Sequence, residues 1–211
     1  MQVEKETIPE KETGRLEAFS DGVFSIAITL LILELKVPSL VKTDLNSPNL
    51  AKALIQQWPS YLSLVTSFFT ILVMWVHHHS IFKHVRKSDA WVHFANGCLL
   101  LAVTFVPYPT SVLATYLQTG AAKAAAAFYS ATLILVAICF NLLLRAAFRK
   151  KLLWSSTPNK FVEKSRRNYM FGPAFYFVAF IAAFIDERLC MAILTALWIF
   201  WAATAMSPEE A

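Results

Sequence analysis

Apolar residues dominate this chain in long blocks, and polar residues collect between the blocks. A run of twelve apolar or small residues from Gly22 to Leu33 lies inside a helix-like stretch with Arg15, Glu17, Asp21, Glu34 and Lys36 at its two ends. Five further blocks follow. Measured against the roughly 17 to 25 residues needed to cross the hydrocarbon of a bilayer, the pattern predicts spans at 16–37, 58–82, 91–117, 124–148, 169–185 and 189–206. The fifth and sixth are separated only by Asp186, Glu187 and Arg188, which predicts a tight antiparallel hairpin near one membrane surface. The third holds Pro107 and Pro109; each removes a helix hydrogen bond, so the span should kink or end there.

Composition supports lipid as the solvent. Apolar residues make up 57% of the 211 and the mean hydropathy is +0.52, against an apolar share of about 45 to 50% in ordinary soluble domains. The fold class expected is therefore all-α, a polytopic membrane protein forming one six-helix domain over 1–211, with a polar N-terminal tail over 1–14. That tail mixes acidic and basic residues and lacks the basic start and apolar core of a leader peptide. No internal repeat is evident, so any pore symmetry must come from assembling several copies.

Charge sets the orientation. Fourteen Lys and Arg residues fall before the first span, between the second and third, and between the fourth and fifth, against five on the opposite side. By the positive-inside rule both termini are cytoplasmic. The sequence pI near 9.2 has the same origin. Arg145, Arg149, Lys150, Lys151, Lys160, Lys164, Arg166 and Arg167 lie beside two spans and read as contacts to anionic lipid headgroups. Nothing resembles an element that reads a nucleic-acid groove, so nucleic acid is not an expected partner.

Charges at membrane depth are tolerated mainly where they meet a partner or water, so the first span reads as the wall of a hydrated path. On a helical wheel Gly22, Ile26, Leu30, Leu33 and Val37 lie within about 40° of one direction, with Ser25 and Thr29 on a flank. Ser20 and Asp21 point roughly the other way. Packing between helices or against lipid would produce the same periodicity, and membrane-helix hydroxyls often bond their own backbone. A buried carboxylate needs partners, so Ser20 and Asp21 are expected to bond His78 and Asn96, with Trp75 packing nearby.

The segment Arg15-Leu16-Glu17-Ala18-Phe19-Ser20-Asp21 reproduces an R-x-x-x-F-S-D signature. With its continuation Gly22 to Leu33 it resembles the first helix of the lysosomal and prokaryotic potassium channels that lack a TVGYG filter. The resemblance extends to Trp75, His78, Ile81 and Phe82 in the second span and to Asn96, Phe105, Pro107 and Tyr108 in the third. It covers roughly the first half of the chain. It implies a homotetramer in which the helix over 15–37 lines a central pore, Ile26 forms the narrowest apolar ring, Thr29 a hydroxyl ring and Leu33 a further apolar layer. Leu30 is a weaker pore candidate and Ser25 a flanking one. Potassium and other monovalent cations are the implied permeant species, and one six-helix unit suits a bacterial or archaeal cell membrane better than a lysosome. Ser80 departs from the family, whose members often place a basic residue there.

Other chemistries find little footing. His77, His78 and His79 are consecutive, and neighbouring helix positions diverge by about 100°, so they cannot chelate one metal. One inward His with the others at the interface is the expectation. The cysteines Cys98, Cys139 and Cys190 are scattered singly and read as packing thiols. No glycine-rich phosphate loop, nucleophile elbow, H-E-x-x-H motif or paired carboxylate set is present, so neither catalysis nor a cofactor is expected. The alternative is a proton-coupled cation carrier that uses Asp21 and the histidines as a relay. Carriers commonly break a helix at the membrane midplane, and the first span has no proline or central glycine.

Overall fold

A computed structural model describes residues 12–38, 46–149 and 151–205, so most of the expected polar tail and Lys150 lie outside the described residues. The fold is all-helical. In chain order the helices are α1 (Gly14–Leu30), α2 (Ser47–Gln56), α3 (Trp58–Lys83), α4 (Ala90–Phe105), α5 (Pro107–Tyr116), α6 (Ala122–Ala147), α7 (Asn159–Ile185) and α8 (Glu187–Ala205). Among the described residues six helical stretches are long and apolar enough to cross a membrane, with α4 and α5 together forming the third.

Local chemistry explains where this arrangement departs from the hydropathy pattern. α1 stops at Leu30 and tightens into a 3-10 turn over Leu31–Glu34. Residues 35–38 leave it as non-helical chain, consistent with Pro38, which disfavours helical backbone at the residue before it. Val37 is therefore not on the helix that the wheel assumed, and Leu33 sits in the 3-10 turn. The α4–α5 break falls at Val106, immediately before Pro107. α2 is a helix the hydropathy reading passed over: Asn46 caps it by accepting from the Asn49 amide at 2.9 Å, and a proline stands in its first turn. α7 begins ten residues before the predicted span, because its first turns are polar and project from the apolar block. The α7–α8 hairpin turns on Asp186, whose Oδ1 accepts from the amides of Arg188 at 2.6 Å and Leu189 at 3.2 Å.

The core is built around α6. Its buried positions include Ala122, Ala125, Ala126, Ala127, Ser130, Ala137 and Ala147, small residues that let neighbouring helices approach closely, as membrane helix packing requires. Hydroxyl bonds tie the bundle across helices. Ser67 on α3 lies 2.8 Å from Thr110 on α5 and 2.9 Å from Tyr129 on α6. Asn141 on α6 donates to the Tyr169 carbonyl on α7 at 2.6 Å.

One ion pair fixes the start of α4 to the end of α6. Asp89 caps α4, accepting from the Trp91 and Val92 amides at 3.1 and 3.2 Å, while Arg149 Nη2 donates to both its carboxylate oxygens at 2.6 Å. Desolvation pushes this carboxyl up, but the two amides and the guanidinium outweigh it and hold Asp89 below the usual carboxylate value. A depressed folded value means stability present above the unfolded value of about 3.9 and lost as pH falls through the folded one. Thermal unfolding in detergent should show Asp89→Asn less stable than the native chain at pH 5 to 7, with the gap closing in stronger acid; a gap that persists unchanged would remove the charge from the account.

Candidate functional site

α1 divides cleanly into two faces. Ser20, Phe24 and Ala27, followed by Leu31 in the 3-10 turn, are buried. They recur at three- to four-residue intervals, with α1 facing α3 and α4 and the 3-10 turn facing α3 and α5. On the other side Phe19, Ile26 and Leu33 are 65%, 58% and 69% exposed within the protomer, and Gly22, Ser25, Thr29 and Leu30 are exposed with them. A Cβ built on Gly22 would meet no atom within 4 Å. The sequence-predicted residues Ser25, Ile26, Thr29, Leu30 and Leu33 therefore share one outward face that is exposed among the described residues.

The buried face is held by a directional chain of hydrogen bonds. His78 Nε2 lies 2.8 Å from Asn96 Oδ1; an amide oxygen only accepts, so this nitrogen carries the proton. Asn96 Nδ2 donates to Ser20 Oγ at 2.9 Å, and Ser20 Oγ donates to the Leu16 carbonyl at 2.8 Å. Three helices, α3, α4 and α1, meet in this one network, and Ser20, His78 and Asn96 are all essentially fully buried. The His78 ring packs between Phe24 and Phe82, with centroids 5.3 and 4.7 Å away.

Asp21 does not join that network. It is exposed on the flank of α1, and its Oδ1 accepts from the indole Nε1 of Trp75 at 2.8 Å. The expected bond from Asp21 to His78 or Asn96 is replaced because 100° of helix rotation separates it from Ser20. Trp75 thus acts as a donor rather than as packing alone. Arg15 is exposed at the start of α1.

The three histidines go to three places. Two are inward, not one: His77 is buried as well as His78. The His77 ring bridges α7 and α8, with Nε2 donating to the Trp201 carbonyl at 3.0 Å and Nδ1 accepting from the Tyr169 hydroxyl at 2.8 Å. His79 is exposed and stacks against Trp75 at 6.1 Å. Periodicity alone could not find the His77 bridge, because its partners lie 92 and 124 residues away. Among the described residues no group of three or more His, Cys, Asp or Glu side chains gathers as a metal site would require.

Known proteins resemble this chain in sequence and overall fold. The family model described as the endosomal/lysosomal potassium channel TMEM175 matches residues 15–107, the segment that holds both α1 and its network. A protein named as a potassium channel from Chamaesiphon minutus is 46% identical over 194 residues, covering 92% of this chain and 95% of that one. The chain belongs to the TMEM175 family. A crystal structure described as a lysosomal potassium-selective channel TMEM175 homolog from Chamaesiphon minutus superposes with a TM-score of 0.83 at 43% identity, covering 92% of this chain and 98% of the other. A zebrafish relative named as an endosomal/lysosomal proton channel is 41% identical over 98 residues, which is 44% of this chain but 19% of that protein. TMEM175 relatives and structural neighbours are thus ion channels, not enzymes.

The network yields a stability prediction. Asn96→Leu leaves the His78 N–H without an acceptor in an apolar surround, a loss of about 1 to 3 kcal/mol for a buried unsatisfied group. Trp75→Phe at the exposed Asp21 contact should cost less. Thermal unfolding of the two variants in detergent should rank them in that order, and the reverse ranking would place the structural bond at Asp21.

Proposed function

We propose that this protein is a potassium-permeable cation channel in which four copies present the outward face of α1 to a shared axis. The observation that carries this reading is the chemistry of that face. The exposed side of α7 is made of bulky apolar residues such as Phe171, Phe177, Val178, Ile181 and Phe184, as suits contact with acyl chains. The exposed side of α1 instead mixes apolar residues with Gly22, Ser25 and Thr29, and it lies on the helix that the most specific family signature marks.

Function follows from two neighbouring rings. Ile26 supplies the narrowest apolar ring, with Leu33 a further apolar layer, Leu30 a lesser contributor and Ser25 at the flank. An apolar ring cannot replace an ion's hydration shell, so it gates by dewetting and passes an ion only where the lumen stays wet or partial dehydration is tolerable. Potassium releases water more readily than sodium, which biases passage without a carbonyl cage. Thr29 lies one turn beyond Ile26, and its hydroxyl donates to the Ile26 carbonyl at 2.9 Å. With its proton committed to the backbone, the oxygen has lone pairs free to accept a cation. Four such oxygens beside the constriction offset part of the lost hydration.

The internal face supports this reading by holding α1 in rotational register. The same geometry gives the carrier alternative little support. His77, His78 and Asp21 bond to Trp201 and Tyr169, to Asn96, and to Trp75 respectively, so they do not form a continuous relay. Both termini on the cytoplasmic side of a bacterial or archaeal membrane complete the proposed arrangement.

Planar-bilayer recordings of the purified protein under a potassium gradient are expected to show discrete unitary currents; slow flux without them would sink the channel reading. Replacing potassium in turn by sodium and by an impermeant cation at varied pH reads the ion preference, including protons. Ile26→Asn should raise leak and move the reversal potential toward zero under opposed potassium and sodium, and an unchanged reversal potential would dismiss Ile26 as the constriction. Gly22→Ala meets nothing among the described residues outside its own helix turn and relieves a helix penalty of about 1 kcal/mol. A loss of tetramer in that variant by native mass spectrometry would therefore report a contact between copies.

A further inference from the structure

The basic segment between α6 and α7 is physically linked to Glu12 and Thr13, the residues that lead into α1. Arg145 near the end of α6 and Arg166 and Arg167 in α7 are exposed, as are Lys151 and Lys160 between them. The two helices run antiparallel in matched register, with Asn141 bonded to the Tyr169 carbonyl and Arg166 Nη2 donating to the Phe148 carbonyl at 2.8 Å. Arg145 and Arg167 therefore stand at neighbouring depths. Just inside them the exposed residues turn apolar, Leu142 on α6 and Met170 and Phe171 on α7. That level is where long basic side chains keep their stems in hydrocarbon and their heads at the phosphate plane. Glu163 is an exposed acid on this face, and Asp89 is already neutralised by Arg149, so the exposed charge remains net positive.

From this face a run of hydrogen bonds leads to α1. The Leu152 carbonyl accepts from the amides of Arg86 at 2.8 Å and Lys87 at 3.2 Å, and the Trp154 amide donates to the His84 carbonyl at 3.2 Å. Val85 and Leu153 pair as a short antiparallel bridge. The same 84–87 segment then holds the residues that open α1. The Glu12 amide donates to the Arg86 carbonyl at 3.0 Å, Thr13 Oγ1 to the Val85 carbonyl at 3.4 Å, and Lys87 Nζ pairs with Glu12 at 2.9 Å.

We propose that the phosphates of anionic lipid headgroups bind the face formed by Arg145, Lys151, Lys160, Arg166 and Arg167, and that their binding tightens the 84–87 strap on Glu12 and Thr13 at the entry to α1. A bound phosphate gathers basic side chains that otherwise repel one another, which steadies the loop over 151–157. Steadying that loop holds the Leu152 and His84 contacts closed, and through Arg86 and Val85 it fixes the entry of α1. Lipid charge on one membrane face thereby sets the rigidity of the helix that carries the channel signature.

Amide hydrogen exchange of the full chain in nanodiscs tests this without reference to conduction. In discs of phosphatidylcholine with phosphatidylglycerol, the amides of Glu12, Arg86, Lys87 and Trp154 are expected to exchange several-fold more slowly than in phosphatidylcholine alone. Equal exchange in the two lipids would overturn the proposal using the native protein only. In Arg145→Gln/Arg167→Gln the affinity for the anionic lipid should fall about fivefold per lost charge, and the exchange difference between the two lipids should shrink toward none. Lys52→Gln/Arg188→Gln, which removes two charges elsewhere, should keep it. Survival of the effect in the first variant, or its loss in the second, would equally overturn a specific site.

Discussion

The Ser20–Asn96–His78 chain of hydrogen bonds is the constraint from which the rest of the site follows. In hydrocarbon a buried polar group without a partner is costly, and these three side chains satisfy one another only when α1 is rotated so that Ser20 faces α3 and α4. That rotation turns Gly22, Ile26, Thr29 and Leu33 outward. The outward face is therefore not a passive remainder of packing. It is set by polar bonds on the opposite side of the same helix, where Phe24, Ala27 and Leu31 are buried as well.

Behind α1 the bundle supplies a rigid wall. α3 is the common member, since it reaches α1 through Trp75 and Asp21, α4 through His78, α5 and α6 through Ser67, and α7 and α8 through His77. Without water to compete, hydroxyl and imidazole bonds between helices give orientation, and small residues on α6 give close approach. His77 and His78 are adjacent in sequence yet serve opposite sides of the bundle. This is the direct result of 100° between neighbours on a helix.

The polar ends complete the picture. Asp89 and Arg149 pin α4 to α6, and the paired 84–87 and 151–154 segments carry that order to Glu12 and Thr13. An apolar helix alone has little to fix its depth or its entry angle. Here those are set by backbone hydrogen bonds at the polar ends of the helices, next to the densest run of positive charge in the chain.

Membership of a membrane class, the number of spans and the TMEM175 family were legible in the sequence, because hydropathy and short residue patterns are local properties. The break at Pro107 was legible for the same reason, and α2, which no apolar block covers, is marked locally by the Asn46 cap and the proline in its first turn. Ser20, His78 and Asn96 could be named as partners, but not the order of their bonds. Tertiary structure alone decided that Asp21 bonds Trp75, that two histidines turn inward, and that residues 12 and 13 are strapped to 85–87. Each depends on which residues distant in the chain arrive beside one another, and a helical period of 3.6 residues fixes only the direction in which a side chain points, not what it meets.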